Sequence, residues 1–210
     1  MKTKKIFILL TVLFASLIGF AQLKSKIQTD QENFFRFGAK AGLNINKING
    51  QSYKSGFNYN FQAGAFIQLN FSKRFGLQPE INFVQTTAEF TNDATDIYDD
   101  LFRDGSQKKA QLNYIEVPIL LNINVGESKH IKIQVGPAFG ALLSQKIDQL
   151  QNGGNLYKNN EVSGIAGFWM QLPVVNIGAR YKIGFTDINA VDNKQTWKNQ
   201  AIQIFAGITF

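Results

Sequence analysis

The last twelve residues of the chain, 199–210, alternate between apolar and non-apolar side chains. Such a period of two is typical of a β-strand with one apolar face and one polar face. Phe205 is the exception, because it falls on the polar face. The apolar face holds Ile202, Ile204, Ala206, Ile208 and Phe210, and the other holds Ala201, Gln203, Gly207 and Thr209.

Seven further segments show strand character, with many β-branched and aromatic residues and few helix signals. Most reach twelve residues or more, beyond the average globular strand and long enough for a tilted membrane crossing of about 9–11 residues. The connections between them are alternately short and long. We predict eight strands at 35–46, 58–72, 75–91, 111–125, 130–146, 161–172, 174–187 and 199–210.

Seven charged residues on these strands share the non-apolar face. A soluble ligand-binding barrel would show the reverse, with an apolar cavity and a polar exterior. The polar face is therefore predicted to line the inside, where eight strands leave room only for side chains and unpaired charges would be too costly to keep. We predict a buried, paired interior network of Arg36, Lys40, Glu80, Glu116, Lys132, Arg180 and Lys182.

These patterns predict an all-β fold, an eight-stranded antiparallel up-and-down transmembrane β-barrel. Short turns on one side and long loops on the other are typical of outer-membrane barrels, in which the turns are periplasmic and the loops extracellular. Both ends of an even-stranded barrel then lie in the periplasm. Prolines within strands delete ladder donors, so we expect β-bulges at Pro79, Pro118 and Pro137. Aromatic residues near the strand ends predict interfacial girdles, with Phe90 and Trp197 in the outer one.

The N-terminus has the pattern of a cleaved secretory signal. Lys2, Lys4 and Lys5 precede an apolar run at 6–18, and Ala21 ends a stretch of small residues. The alternative is an uncleaved anchor helix. We expect a signal peptide at 1–21, a periplasmic segment at 22–34 and an outer-membrane barrel domain at 35–210.

Composition narrows the possible functions. The chain has no cysteine, which excludes a lipid-anchored lipoprotein, disulfides and thiol catalysis. Removal of the three lysines in the predicted signal peptide lowers the net charge from +7 to +4. The chain has no cluster of lysines and arginines that would suggest nucleic-acid binding.

Candidate chemistry is sparse. The single histidine, His130, falls in a predicted periplasmic turn, where a solvated role is favoured over a hydrolase site. Glu80 and Glu116 could form a carboxylate pair for acid–base catalysis, but the nearby cations favour a structural network. The aspartates between 93 and 104 match no calcium loop. We expect no enzyme activity, no cofactor and no metal.

Six segments of the chain carry recognisable motifs, namely 37–44 (FGAKAGLN), 77–80 (LQPE), 112–121 (LNYIEVPILL), 135–137 (VGP), 179–181 (ARY) and 184–188 (GFTDI). Together these motifs resemble those of the PorT-like outer-membrane β-barrel family of Bacteroidetes. They cover nearly the whole predicted barrel in the family's order, and the resemblance implies an eight-stranded outer-membrane barrel but no single activity. The shared residues are scaffold residues, so the secretion role of the namesake is not carried over.

We therefore expect a monomeric outer-membrane protein with a structural or interaction role at the cell envelope. Its partners would be outer-membrane lipid and periplasmic or surface proteins, and a link to protein secretion is one option. The alternatives are a narrow porin-like transport channel, a lipid-modifying barrel enzyme and, at the level of the fold, a soluble lipocalin-like binder.

Overall fold

The computed structural model describes residues 34–90, 109–126, 130–147, 156–191 and 195–210. They form a closed barrel in which each strand pairs antiparallel with its neighbours in sequence and the last pairs with the first. The strands are β1 Phe35–Asn49, β2 Asn58–Asn70, β3 Phe75–Glu89, β4 Lys109–Val125, β5 Ile131–Ile147, β6 Asn160–Gln171, β7 Val175–Gly184 and β8 Lys198–Thr209.

Closure of the sheet satisfies the backbone at every strand. Leu43 on β1, for example, lies opposite Phe61 on β2 and Ile204 on β8. A closed sheet has no unpaired edge, which is the condition for strands to cross hydrocarbon. The predicted fold class is confirmed, and each strand begins and ends within three residues of its predicted bounds.

The two ends of the barrel differ in the length of their connections. Residues 71–74, 126–130 and 172–174 join strands at one end, which we call the turn end. Residues 50–57, 90–108, 148–159 and 185–197 join them at the other, the loop end. In outer-membrane barrels short turns lie at one end and long loops at the other, and the two ends of this barrel differ in the same sense.

The outward face is apolar through the middle of each strand. On β7, Ile177 is 51% exposed whereas Arg180 is 2% exposed. On β1 the outward-facing apolar residues run from Phe35 to Ile45, which is about 33 Å along a strand at ~3.3 Å per residue. A tilt of about 45° reduces this to roughly 23 Å, close to the ~25 Å apolar band of barrels of this kind.

The predicted bulges at the prolines are wrong. The register of β3 against β4 is the same on both sides of Pro79 and Pro118, and Pro137 lies opposite Gly164 in an unbroken ladder with β6. Each proline lacks a donor, but the neighbouring pairs hold the register. The shift in the sheet lies instead between Asn113 and Tyr114, where β5 carries one extra residue.

Candidate functional site

Glu80 on β3 stands at the centre of the barrel interior with five hydrogen-bond donors around its carboxylate. Lys40 Nζ lies 2.6 Å from Oε2, and Arg180 reaches both oxygens, with Nη1 2.9 Å from Oε2 and Nη2 2.7 Å from Oε1. The side-chain amides of Gln78 and Asn82 donate to the same carboxylate over 2.6 and 3.0 Å. We call Lys40, Glu80 and Arg180 the central cluster. A buried carboxylate needs this degree of satisfaction to remain ionised.

The Arg180–Glu80 pair crosses the whole lumen. In a closed sheet of eight strands, β3 and β7 are four strands apart in either direction, so they lie on opposite walls. The guanidinium carbon of Arg180 is also 5.6 Å from the ring centroid of Trp169 and 4.6 Å from that of Phe205. Lys40 Nζ lies 4.4 Å from the Phe205 centroid. These cation–π contacts lie in the same layer of the lumen as the Arg180–Glu80 ion pair. Two cations, one carboxylate and two aromatic rings therefore share one layer of the lumen.

Phe205, the exception in the alternation of the last strand, is therefore an interior residue. Its ring packs on Trp169 with a centroid distance of 5.5 Å. The same ring makes cation–π contacts with Lys40 and Arg180. Space for the ring comes from Gly178 on β7, where a Cβ would collide with the ring's edge. Gly38 leaves room for the buried ring of Phe66 in the same way. These two glycines make room for the aromatic rings that fill the lumen.

A second ionic group lies one layer closer to the loop end. Lys182, two residues beyond Arg180 on β7, forms ion pairs with Glu116 and, over 3.2 Å, with Glu161. We call these three residues the upper cluster. Gln203 donates a hydrogen bond to Glu116, and Asn199 donates one to Glu161.

The two clusters balance each other. The central cluster has two cations and one carboxylate, and the upper cluster has one cation and two carboxylates. Their formal charges, +1 and −1, sum to zero. Burying ions is costly unless they are paired, so the equal numbers of cations and carboxylates in the two clusters favour the burial of these six groups.

An amide layer continues the filling toward the turn end. Gln78 Oε1 accepts hydrogen bonds from Gln68 over 2.9 Å and from Asn122 over 2.8 Å. Gln134 donates to Asn122 over 2.7 Å and accepts from Arg180 Nε over 2.8 Å. The amides therefore connect to the central cluster and hold the guanidinium in position.

The structure brings together five of the seven predicted network residues, namely Lys40, Glu80, Glu116, Arg180 and Lys182. Lys132 is fully buried but lies nearer the turn end, opposite Asn124. Arg36 is partly exposed at the turn end, where its guanidinium donates to the carbonyl of Pro173 over 3.4 Å.

Sequence reasoning missed Glu161. The inward face of β6 also carries Ile165 and Trp169, and these large apolar residues hide its polar character. The sequence did contain one indication of its position. Glu161 lies two residues before Ser163, so the two side chains share the inward face of the strand.

An apolar cluster closes the lumen at the loop end, and we call it the cap. At its centre is the fully buried Trp197, whose ring centroid lies 5.1 Å from that of Tyr53 and 5.6 Å from that of Tyr157. The predicted place of Phe90 and Trp197 in an outward aromatic girdle is therefore wrong. The cap contains Ile48, Tyr53, Ala88, Phe90, Ala110, Leu112, Tyr114, Leu156, Tyr157, Ile188 and Trp197.

Polar contacts anchor the cap. Burial would raise the pKa of Asp187, but hydrogen bonds from the backbone N–H groups of Trp197 and Asn189, with Lys158 nearby, hold that pKa below its usual value. These bonds measure 2.8 and 3.1 Å. Burial also raises the pKa of Tyr157, whose hydroxyl accepts a hydrogen bond from Tyr53 over 3.0 Å. At neutral pH Asp187 is therefore ionised and Tyr157 is uncharged.

Among the residues that the structure describes, the candidate catalytic and metal-binding side chains do not converge on one site. His130 is exposed beside the turn end. No three histidine, aspartate or glutamate side chains converge on a metal site in the ranges that the structure describes. The predicted signal peptide, most of the N-terminal segment and the aspartate-rich stretch at 93–104 lie outside the described residues. Within those residues, no helix is long and apolar enough to cross a membrane.

Comparison with known proteins agrees with the barrel geometry. The outer membrane protein OprG from Pseudomonas aeruginosa superimposes with a TM-score of 0.52 at 12% identity, covering 87% of this chain and 99% of that protein. Neisserial surface protein A does so with a TM-score of 0.50 at 11% identity, covering 85% and 98%. At such low identity the likeness concerns the fold alone. No curated protein matches the sequence.

A family model settles the classification. The model of the outer membrane protein beta-barrel domain matches residues 20–190, which is most of the chain. An apolar outer wall and a closed sheet are what strands that cross a lipid bilayer need, and a polar interior is common in such barrels. The chain belongs to the outer membrane protein beta-barrel domain family, and its location is the cell outer membrane.

Proposed function

We propose that this protein is a sealed, non-catalytic barrel that acts through interactions at the cell envelope. The observation that carries the proposal is the Arg180–Glu80 ion pair, which joins opposite walls of the lumen. A barrel blocked in this way has no path for solutes, so its working surfaces are its two ends and its lipid-facing wall. We also propose that it is a monomer, because each strand already has both neighbours.

Four layers of side chains oppose the alternative of a narrow channel. The amide layer, the two ionic clusters and the cap succeed one another from the turn end to the loop end. Opening a pore would require separation of buried ion pairs, and leaving such charges unpaired is strongly unfavourable. We therefore place transport second.

We further propose that the chain is of the PorT-like type. The support is the resemblance carried by 37–44, 77–80 and 112–121, which includes Lys40, Glu80 and Glu116 of the interior clusters. On this proposal the motif residues Lys40, Glu80 and Glu116 form the ion pairs of the lumen, and the partner is a periplasmic or surface protein of a secretion process. The motifs themselves name no partner.

A deletion strain with three measurements tests these proposals. We expect reduced secretion of surface proteins, restored by the wild-type gene, together with unchanged membrane lipid composition and unchanged uptake of small solutes. Complementation with Tyr59→Ala, a change on the lipid-facing wall, is a matched control for expression and should restore secretion fully. An altered lipid profile would point to the enzyme alternative, and a solute-specific uptake defect would point to the channel. Either result would contradict the proposed function.

A further inference from the structure

Two lysines lie close together on the outward face of the barrel, at the loop end of the seam between β8 and β1. In the register, Lys47 lies opposite Gln200 and Asn49 lies opposite Lys198. Lys47 and Lys198 are therefore diagonal neighbours on the same face, at a typical separation of about 7–8 Å. Both are outward-facing, and Lys198 is exposed.

Three other lysines at this end of the barrel pair with carboxylates. Glu89 forms ion pairs with Lys109 over 2.7 Å and with Lys54 over 3.9 Å, and Asp187 pairs with Lys158 over 3.4 Å. Among the residues described, neither Lys47 nor Lys198 has a carboxylate within ion-pair distance. The ammonium of Lys47 instead lies 5.1 Å from the ring centroid of Phe57, which positions its long side chain. The seam thus presents two positive charges to an external anion.

The depth of the pair indicates where that anion resides. Ile45 on β1 and Ile202 on β8 are the next apolar residues on the outward face toward the turn end, and they begin the hydrocarbon-facing wall. Lysine side chains at such a boundary extend their charged ends to the headgroup level. An anion bound here is therefore part of a lipid whose acyl chains lie against the wall below.

Polar groups around the lysines suit a sugar headgroup. Gln200 accepts a hydrogen bond from the Tyr181 hydroxyl over 3.2 Å, which leaves its amide nitrogen as an outward donor. Above the pair is an open cleft of about 500 Å³. It is lined by Asn49, Gly50, Gln51, Gln195, Thr196 and Lys198.

We propose that the β8–β1 seam binds a phosphorylated glycolipid of the outer leaflet. The ammonium groups of Lys47 and Lys198 hold a phosphate on the sugar, the cleft accommodates the sugar and the apolar wall contacts the acyl chains. This inference concerns the outer wall and is independent of the proposed interior plug.

The test is a binding titration on the whole mature protein in detergent, followed by native mass spectrometry. The probes are diphosphorylated lipid A and its dephosphorylated form. We compare wild type with Lys47→Gln/Lys198→Gln and with the control Lys73→Gln/Arg74→Gln, which removes two exposed charges at the turn end. Each surface lysine strengthens anionic-lipid binding about fivefold, so the seam variant should bind about 25-fold more weakly. The control should bind within about twofold of wild type, because its charges lie at the opposite rim beyond screening range.

Two results would overturn the proposal. One is equal binding of the phosphorylated and dephosphorylated lipids by wild type. The other is a seam variant that is no weaker than the control. A third arm adds inorganic phosphate as competitor. Retention of the lipid supports a lipid site, whereas its displacement would show that the seam binds a soluble anion and would contradict the assignment. Circular dichroism confirms that each variant is folded.

Discussion

Glu80→Gln should lower the free energy of unfolding by about 3–5 kcal/mol, because it leaves the charges of two buried cations unpaired. Lys40 and Arg180 direct their charges to the Glu80 carboxylate at 2.6–2.9 Å, and the side chains of all three are at most 2% exposed. An amide of the same size accepts fewer hydrogen bonds and carries no negative charge. The central cluster then holds a formal charge of +2 in a filled lumen. Urea unfolding in detergent micelles, followed by circular dichroism, measures the loss.

The matched control is Glu89→Gln, which makes the same chemical change at the loop end. Glu89 also contacts two lysines, but their side chains are 41% and 45% exposed and its own is 24% exposed. Water and salt screen such pairs, so the expected cost is below about 1 kcal/mol. Equal effects of the two substitutions would show that Glu80 does not occupy the dry interior described here.

Trp197→Ala should also lower the free energy of unfolding by about 3–5 kcal/mol, as expected when a fully buried tryptophan is truncated. The indole contacts Tyr53, Phe90 and Tyr157, and its backbone N–H is held by Asp187. Its removal leaves a cavity at the centre of the cap. Since the cap lies at the loop end, we expect limited proteolysis of 50–57 and 185–197 to increase as well.

Tyr59→Ala is the control for the cap. Tyr59 is 74% exposed on the outward wall at the same end of the barrel, so its truncation creates no interior cavity. We expect a loss within about 1 kcal/mol, typical of exposed positions. If Trp197→Ala were as mild as Tyr59→Ala, the aromatic cluster would not be the structural cap of the lumen.

The orientation of the barrel wall was readable from the sequence. Ile177 and Arg180 belong to one strand but to opposite faces, and the period of two separates them without any knowledge of neighbours. Charges on a lipid-facing wall cost about 2–4 kcal/mol each near the bilayer centre, so the polar face had to turn inward. Long strands and alternating loop lengths then left a closed antiparallel barrel as the one satisfactory arrangement.

The partners within the lumen were not readable in the same way. Glu80 and Arg180 form an ion pair although one hundred residues separate them in the sequence. Whether they lie at the same height in the lumen depends on the stagger of all eight strands in the closed sheet. Arg36 lies on the same face of β1 as Lys40 but four residues closer to the start of the strand. It is therefore at the turn end of the barrel and not in the central cluster. Phe205 breaks the alternation of the last strand, and the sequence gives no reason for an aromatic ring on the polar face. The reason is three-dimensional, because Lys40 and Arg180 from two other strands both contact that ring.

The most direct test of the sealed lumen is the electrical conductance of the protein reconstituted in a planar lipid bilayer. An open porin inserted in the same way is the positive control. With Arg180 and Glu80 joined across the lumen and the cap above them, the wild-type protein should give no stable open-channel currents. Reproducible current steps from the folded wild-type barrel would contradict the account.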